Sequence, residues 1–231
     1  MNKIKVLFLT VVLLAIGVTP AFAAGNQAFR NVQVAEPNIQ FAIQGEARVW
    51  EGVLHYQVKA DDQVIRKGIQ TTSIGAPNWG DFKLDFTFKK SQVKGKKLYL
   101  ELYEESMKDG SKLHQLIIPL DNIENNQKQN QAFRNVTGQV KYVYEVEGEA
   151  RVFEGTYHFE VSDGHHILVK GFGTSTKGAP EWGTFHEKIE VPRQAVPVNG
   201  TLVLELYEPN MSDEGPPRLH SSFHKLDSFP W

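Results

Sequence analysis

The sequence predicts an all-β protein built from two tandem β-sandwich domains joined by a short linker. Three observations carry this: a long internal repeat, apolar/polar alternation at period two in both copies, and no stretch of helical period longer than two turns beyond the N-terminal segment. A repeat period of 103 or 104 residues means tandem domains, because solenoid repeats typically run about 20–50 residues.

In chain order, Lys3 and Lys5 precede an apolar run from Val6 to Val18, and Ala21-Phe22-Ala23 follows as a small-x-small cleavage site. Residues 1–23 therefore read as a signal peptide. The apolar run spans only 13 residues, short of the roughly 20 a membrane helix needs, so no integral membrane segment is expected after cleavage. The expected location is extracytoplasmic, secreted and associated with the cell envelope. The remaining residues divide into a first domain at 24–120, a linker at 121–131 rich in Asn and Gln, and a second domain at 132–231.

Composition narrows the function classes. The chain has no cysteine, which excludes disulfide stapling, thiol catalysis and Cys-based zinc sites. Its formal net charge is −2, falling to −4 once Lys3 and Lys5 are removed, and this argues against nucleic acid as a partner. The copies differ: residues 24–129 carry 14 basic and 13 acidic groups, whereas residues 130–231 carry 9 and 14. This split points to diverged partners or to an electrostatic attraction between the copies.

The repeat is carried by motifs. Asn26-Gln-Ala-Phe-Arg-Asn-Val32 recurs unchanged at Asn130–Val136. Gly45-Glu-Ala-Arg-Val-Trp-Glu-Gly52 returns as Gly148-Glu-Ala-Arg-Val-Phe-Glu-Gly155, and Gly75-Ala-Pro-Asn-Trp-Gly-Asp-Phe82 returns as Gly178-Ala-Pro-Glu-Trp-Gly-Thr-Phe185. Leu100-Glu-Leu-Tyr-Glu104 returns as Leu204-Glu-Leu-Tyr-Glu208. Between motifs, Leu54, Tyr56 and Val58 in one copy and Tyr157, Phe159 and Val161 in the other mark the buried side of a strand. Leu98, Leu100 and Leu102, matched by Leu202, Leu204 and Leu206, mark a second core strand. Asp61-Asp62 and Asp163-Gly164 read as hairpin turns. About seven short strands per 100 residues is the spacing of a β-sandwich.

In order and spacing these motifs resemble the immunoglobulin-like domain of bacterial spore germination, from about Pro37 to Leu120 and again from about Tyr142 to Leu226. The resemblance implies two immunoglobulin-like β-sandwiches. It also implies a role in binding or scaffolding at the bacterial surface, with no catalytic residues to carry over.

Four residues stand out as candidate binding positions. Trp79 and Trp182 sit in a Gly-Ala-Pro-x-Trp-Gly loop. There an indole either stacks on a sugar or on a partner's side chain, or pins the loop to the edge of the core with its N–H hydrogen-bonded. Glu51 and Glu154 follow an aromatic residue at the mouth of a strand. A glycosidase would need two carboxyls roughly 5–10 Å apart across one bond, whereas these belong to different domains, so a salt bridge to Arg48 or Arg151 is the plainer expectation. His55, His158, His114 and His220 lack an obvious third ligand, and the acidic loops at 104–110 and 208–215 do not match a helix-loop-helix calcium spacing. No metal, cofactor or catalytic residue is therefore assigned.

No nucleophile elbow, phosphate loop or dinucleotide fingerprint occurs. The expectation is a secreted, non-catalytic binding or scaffold protein of the bacterial cell envelope. Its partner would be a cell-wall or envelope component or another envelope protein, and the linker would tether two contact sites. The alternatives are a wall-polysaccharide hydrolase or its accessory domain, and a calcium-dependent adhesion module. In the tail Asp227-Ser-Phe-Pro-Trp231, the aromatics are expected to seal the edge of the second copy.

Overall fold

The computed structural model describes residues 27–229 apart from 213 and 215, so the predicted signal peptide and Trp231 lie outside the described residues. The described chain forms strands β1 (Phe29–Val34), β2 (Asn38–Ala47), β3 (Val53–Ala60), β4 (Gln63–Thr71), β5 (Gly80–Lys89), β6 (Leu98–Glu105) and β7 (Lys112–Pro119). These are followed by β8 (Phe133–Ala150), β9 (Thr156–Ser162), β10 (Ile167–Thr174), β11 (Gly183–Pro192), β12 (Gly200–Pro209) and β13 (Arg218–Phe229). A single α-helical turn, α1 (Lys90–Val93), follows β5.

The predicted core positions are buried except Leu98, which is partly buried, and strict alternation breaks mid-strand where Gln57, Glu101 and Glu160 are buried as well. Leu54, Tyr56 and Val58 on β3 and Tyr157, Phe159 and Val161 on β9 are all buried, as are Leu100, Leu102, Leu202, Leu204 and Leu206. Asp61-Asp62 is a two-residue turn between β3 and β4, while its counterpart widens to residues 163–166, where the Asp163 carboxylate accepts the backbone N–H groups of His165 and His166. Each repeat builds its own four-stranded antiparallel sheet, β4-β3-β6-β7 in the first and β10-β9-β12-β13 in the second.

The opposing layer is not divided between the repeats. It is one five-stranded sheet in which β8 takes β11 along one edge, and β2 and then β1 along the other, with β5 outside β2. β2 and β8 run antiparallel with Ile39 opposite Tyr142. The 103-residue offset makes these two positions equivalent, so an approximate two-fold axis passes between them. Each half of the shared sheet supplies three strands to a seven-stranded sandwich, and the buried side chains of both halves form one continuous cluster.

The consequence is an exchange of first strands. Phe29–Val34, at the start of the first repeat, pairs with Val146–Ala150 of the second. Phe133–Gly138, its copy, pairs with Ile43–Ala47 of the first. Each exchanged segment carries a bulge at an asparagine in the left-handed region, Asn31 (φ 53°) and Asn135 (φ 52°), a conformation asparagine tolerates better than most residues. In the first repeat the chain breaks at Ala35-Glu36-Pro37 before β2. In the second, β8 runs on unbroken for 18 residues, since no proline interrupts its ladder.

The stretch 121–131 is therefore not a free tether. Residues Leu120–Asn125 form a 3-10 turn in which Leu120 and Ile123 are fully buried. Asn130 donates to the carbonyls of His114 and Gln115 and accepts the N–H groups of Ala132 and Phe133, which fixes the entry of β8. In the tail, Phe229 is buried edge-on against Tyr142 at 5.4 Å.

Gln33 on β1 faces Glu147, whereas its repeat counterpart Thr137 faces Gln44. The exchange predicts that Gln33→Cys with Glu147→Cys oxidises to an intrachain disulfide, because directly opposed antiparallel residues lie within disulfide reach, while Gln33→Cys with Gln44→Cys does not. Without native thiols the result reads directly as a mobility shift on a non-reducing gel. The reverse pattern would mean that each strand stays with its own repeat.

Candidate functional site

The two predicted tryptophans are half-buried and sit at the docks of the exchanged strands. Trp79 lies under the guanidinium groups of Arg48 and Arg134, at 4.9 and 4.2 Å from its ring centre, and Trp182 lies under those of Arg151 and Arg30, at 4.9 and 4.1 Å. In each case one arginine comes from the indole's own repeat and the other from the strand donated by its neighbour. Such stacking is worth roughly 0.5–2 kcal/mol depending on desolvation.

The donated arginine also holds a carboxylate with two of its nitrogens. Arg30 reaches Glu149 at 2.9 and 3.1 Å, with Asn31 adding a contact at 2.6 Å. Arg134 reaches Glu46 at 2.7 and 2.5 Å, with Asn135 at 2.7 Å. Hydrogen bonds from Asn135 and then Arg134 hold the Glu46 carboxyl below its ordinary range, and those from Arg30 and then Asn31 do the same at Glu149. Gly45 and Gly148 complete the docks. A β-carbon on Gly45 would fall 2.9 Å from Phe82 and 3.0 Å from Val136, and one on Gly148 would fall 2.9 Å from Phe185 and 3.1 Å from Val32. The unchanged heptapeptide and its partner motif are thus two halves of one lock.

Glu51 and Glu154 stand elsewhere. Each is the first central residue of a tight turn, with φ of 51° and 52°, followed by Gly52 at 69° and Gly155 at 70°. Two consecutive positive φ values define a type I′ turn, which explains the glycine in second place. Both carboxylates are exposed and form no ion pair among the described residues, so the expected bridges to Arg48 and Arg151 are absent; Arg48 instead faces Trp79 and the Gln131 carbonyl. The structure brings no second carboxyl pair together across the repeats at these turns.

The turn's effect falls on the residue before it. Trp50 and Phe153 are pushed into solvent, 63% and 64% exposed. Their backbone N–H groups donate to Glu104 at 3.1 Å and Glu208 at 2.8 Å. The second oxygen of each carboxylate faces a histidine, His114 at 3.1 Å and His220 at 3.8 Å. Both histidines have positive φ, 53° and 54°. The neighbouring loop is locked against the turn: Thr72 and Ala76 donate to the carbonyls of Gly52 and Val49, and Ser175 and Ala179 to those of Gly155 and Val152. The prolines of these loops, Pro77 and Pro180, follow cis peptide bonds. In the second repeat the result is an open cleft of about 380 Å³ lined by Phe153, Arg151, Ala179, Pro180, Glu208 and His220. An exposed ring, a proline edge and a carboxylate–imidazole pair offer an apolar plate beside polar groups, an arrangement suited to contact with a sugar face or a partner's side chain.

The exposed rings thus come from the Gly-Glu-Ala-Arg-Val-(Trp/Phe)-Glu-Gly motif, whereas Trp79 and Trp182 are half-buried anchors. An aromatic between Val49 and Glu51 looks like part of a buried run, and only the type I′ geometry of Glu-Gly turns it outward. The other two candidate histidines, His55 and His158, lie on β3 and β9 beside aromatic rings. His55 stacks on Tyr103 at 5.5 Å, and His158 meets Tyr207 at 5.6 Å and Phe172 at 6.3 Å. Among the described residues no three of His, Asp and Glu come together as a metal site.

Two antiparallel sandwiches of seven strands, with a repeated exposed-ring turn and a shared sheet, define an immunoglobulin-like all-β protein. The profile of the immunoglobulin-like domain of bacterial spore germination matches residues 31–111 and again 136–214, and the chain belongs to that family, in two tandem copies. No curated protein matches the chain. Among the described residues no helix is long and apolar enough to cross a membrane.

Proposed function

We propose that the chain is an exported, non-catalytic binding or scaffold protein of the bacterial cell envelope, and that the surfaces around Trp50 and Phe153 are its two contact sites. The observation that carries this reading is the recurrence of the whole constellation in both repeats: exposed ring, type I′ turn, cis-proline loop, glutamate and histidine. The family supports a module related to spore germination, and the N-terminal residues 1–23 support export. Because the first strands are exchanged and the connection is folded, the two sites sit on one body, and their spacing is set by the shared sheet.

The test is co-sedimentation of residues 24–231 with purified cell-wall sacculi at physiological salt. The unmodified protein is expected to pellet. Trp50→Ala with Phe153→Ala together should lower apparent affinity at least about tenfold more than either change alone, since losing one of two linked sites leaves the other in play. Equal retention of the double variant would remove both surfaces as contact sites. Failure of the unmodified protein to pellet would leave another envelope protein as the partner to seek.

A further inference from the structure

We propose that the dock holding β1 is a strand-acceptor site, and that its partner is a second copy of this chain, which donates its own residues 27–34 in return. The two exchanged segments are alike in sequence but not in attachment. Phe133–Gly138 continues into β8, the central strand of the shared sheet, and cannot leave without dismantling that sheet. Phe29–Val34 is a separate six-residue strand that pairs along one edge with β8 alone and is joined to β2 through Ala35-Glu36-Pro37. One repeat thus carries a fixed donor and the other a detachable one.

The acceptor reads its strand by sequence as well as by backbone pairing. Phe29 is buried edge-on to Tyr157 at 5.8 Å and to Phe185 at 6.5 Å. Arg30 forks onto Glu149 and stacks on Trp182, Asn31 takes the left-handed bulge, and Val32 fills the notch left by Gly148. Every one of these contacts can be made equally by β1 of another chain, so docking within and between chains differs only in the hinge and in concentration. Reciprocal donation closes a two-fold dimer with no unpaired strand left over. A short connection holds β1 at an effective concentration in the millimolar range, so the intrachain form dominates at micromolar protein unless its own dock is mismatched.

That condition provides the test. In Arg30→Glu the strand carries a negative charge to Glu149, and in Glu149→Arg the dock presents a positive charge to Arg30. Each variant alone mismatches itself. Mixed one to one, each variant's strand matches the other's dock, and weakening two intrachain docks by roughly tenfold each brings reciprocal dimerisation to about 10 µM. Light scattering after size-exclusion chromatography is expected to show monomers for each variant alone and a dimer for the mixture. The single chain carrying both changes is expected to remain monomeric. If a variant alone is unfolded, mutual recovery of β-sheet circular dichroism on mixing is the supporting result. A mixture that stays monomeric at 100 µM or more, or that shows no recovery, overturns the proposal.

Discussion

Replacing Phe133 with alanine is expected to destabilise the protein by about 3–5 kcal/mol, the range for truncating a fully buried aromatic side chain. Phe133 is completely shielded from solvent. By sequence it belongs to the second repeat, yet its strand pairs with β2 of the first, with Ala47 directly opposite. It fills the place that Phe29 takes in the other half against Tyr157 and Phe185, and the positions equivalent to those two are Leu54 and Phe82. The cavity left by Phe133→Ala therefore opens in the first sandwich. Urea denaturation measures the size of the loss, and amide hydrogen exchange locates it. Protection is expected to fall around Leu54 and Phe82 more than around Tyr157 and Phe185, and the opposite ranking would mean that the strand stays with its own repeat.

This placement also shows where the sequence stopped being informative. Strand identity and the buried face were legible because apolar residues recur at every second position along β3, β6, β9 and β12. The exchange was not legible, because the two donated segments share Phe-Arg-Asn-Val and differ only in Gln33-Val34 against Thr137-Gly138. Arg30 meets a Gly-Glu-Ala-Arg motif and a Trp loop whichever repeat supplies them, so both pairings satisfy every local preference. What separates them is the single extra residue and Pro37 before β2, a difference too small to read without the register of the whole sheet. The linker was misjudged for a related reason. Its Asn and Gln look like solvated chain, but Asn126 and Asn130 spend their amides on backbone carbonyls of Val136, His114 and Gln115. Trp79 and Trp182 were legible as anchors, although what they anchor is the neighbouring repeat's strand. The αL conformation at Glu51 and Glu154, which exposes Trp50 and Phe153, leaves no trace in hydrophobic periodicity.

The second large effect lies where the two repeats meet beyond the sheet. Lys90 on α1 reaches across to Asp227 on β13 at 2.6 Å, with both side chains about 90% buried, and also donates to the Ser228 carbonyl and lies 4.5 Å from the Phe229 ring. Tyr144 donates its hydroxyl to the other oxygen of Asp227 at 3.0 Å; burial first, and then the neighbouring carboxylate, push the Tyr144 phenol far above its ordinary range. Asp227→Ala is expected to cost about 3–5 kcal/mol, because it removes the carboxylate that faces both a buried ammonium and a buried phenol. The favourable contacts of the pair in the folded state are largely offset by the cost of taking two charges out of water. Adding Lys90→Met to Asp227→Ala should therefore recover a substantial part of the loss, since an unbranched apolar side chain of similar length can occupy the slot without a charge. Chemical denaturation of the two single variants and the double variant measures this directly. A double variant as unstable as the sum of the singles would show that the lysine and the aspartate act independently.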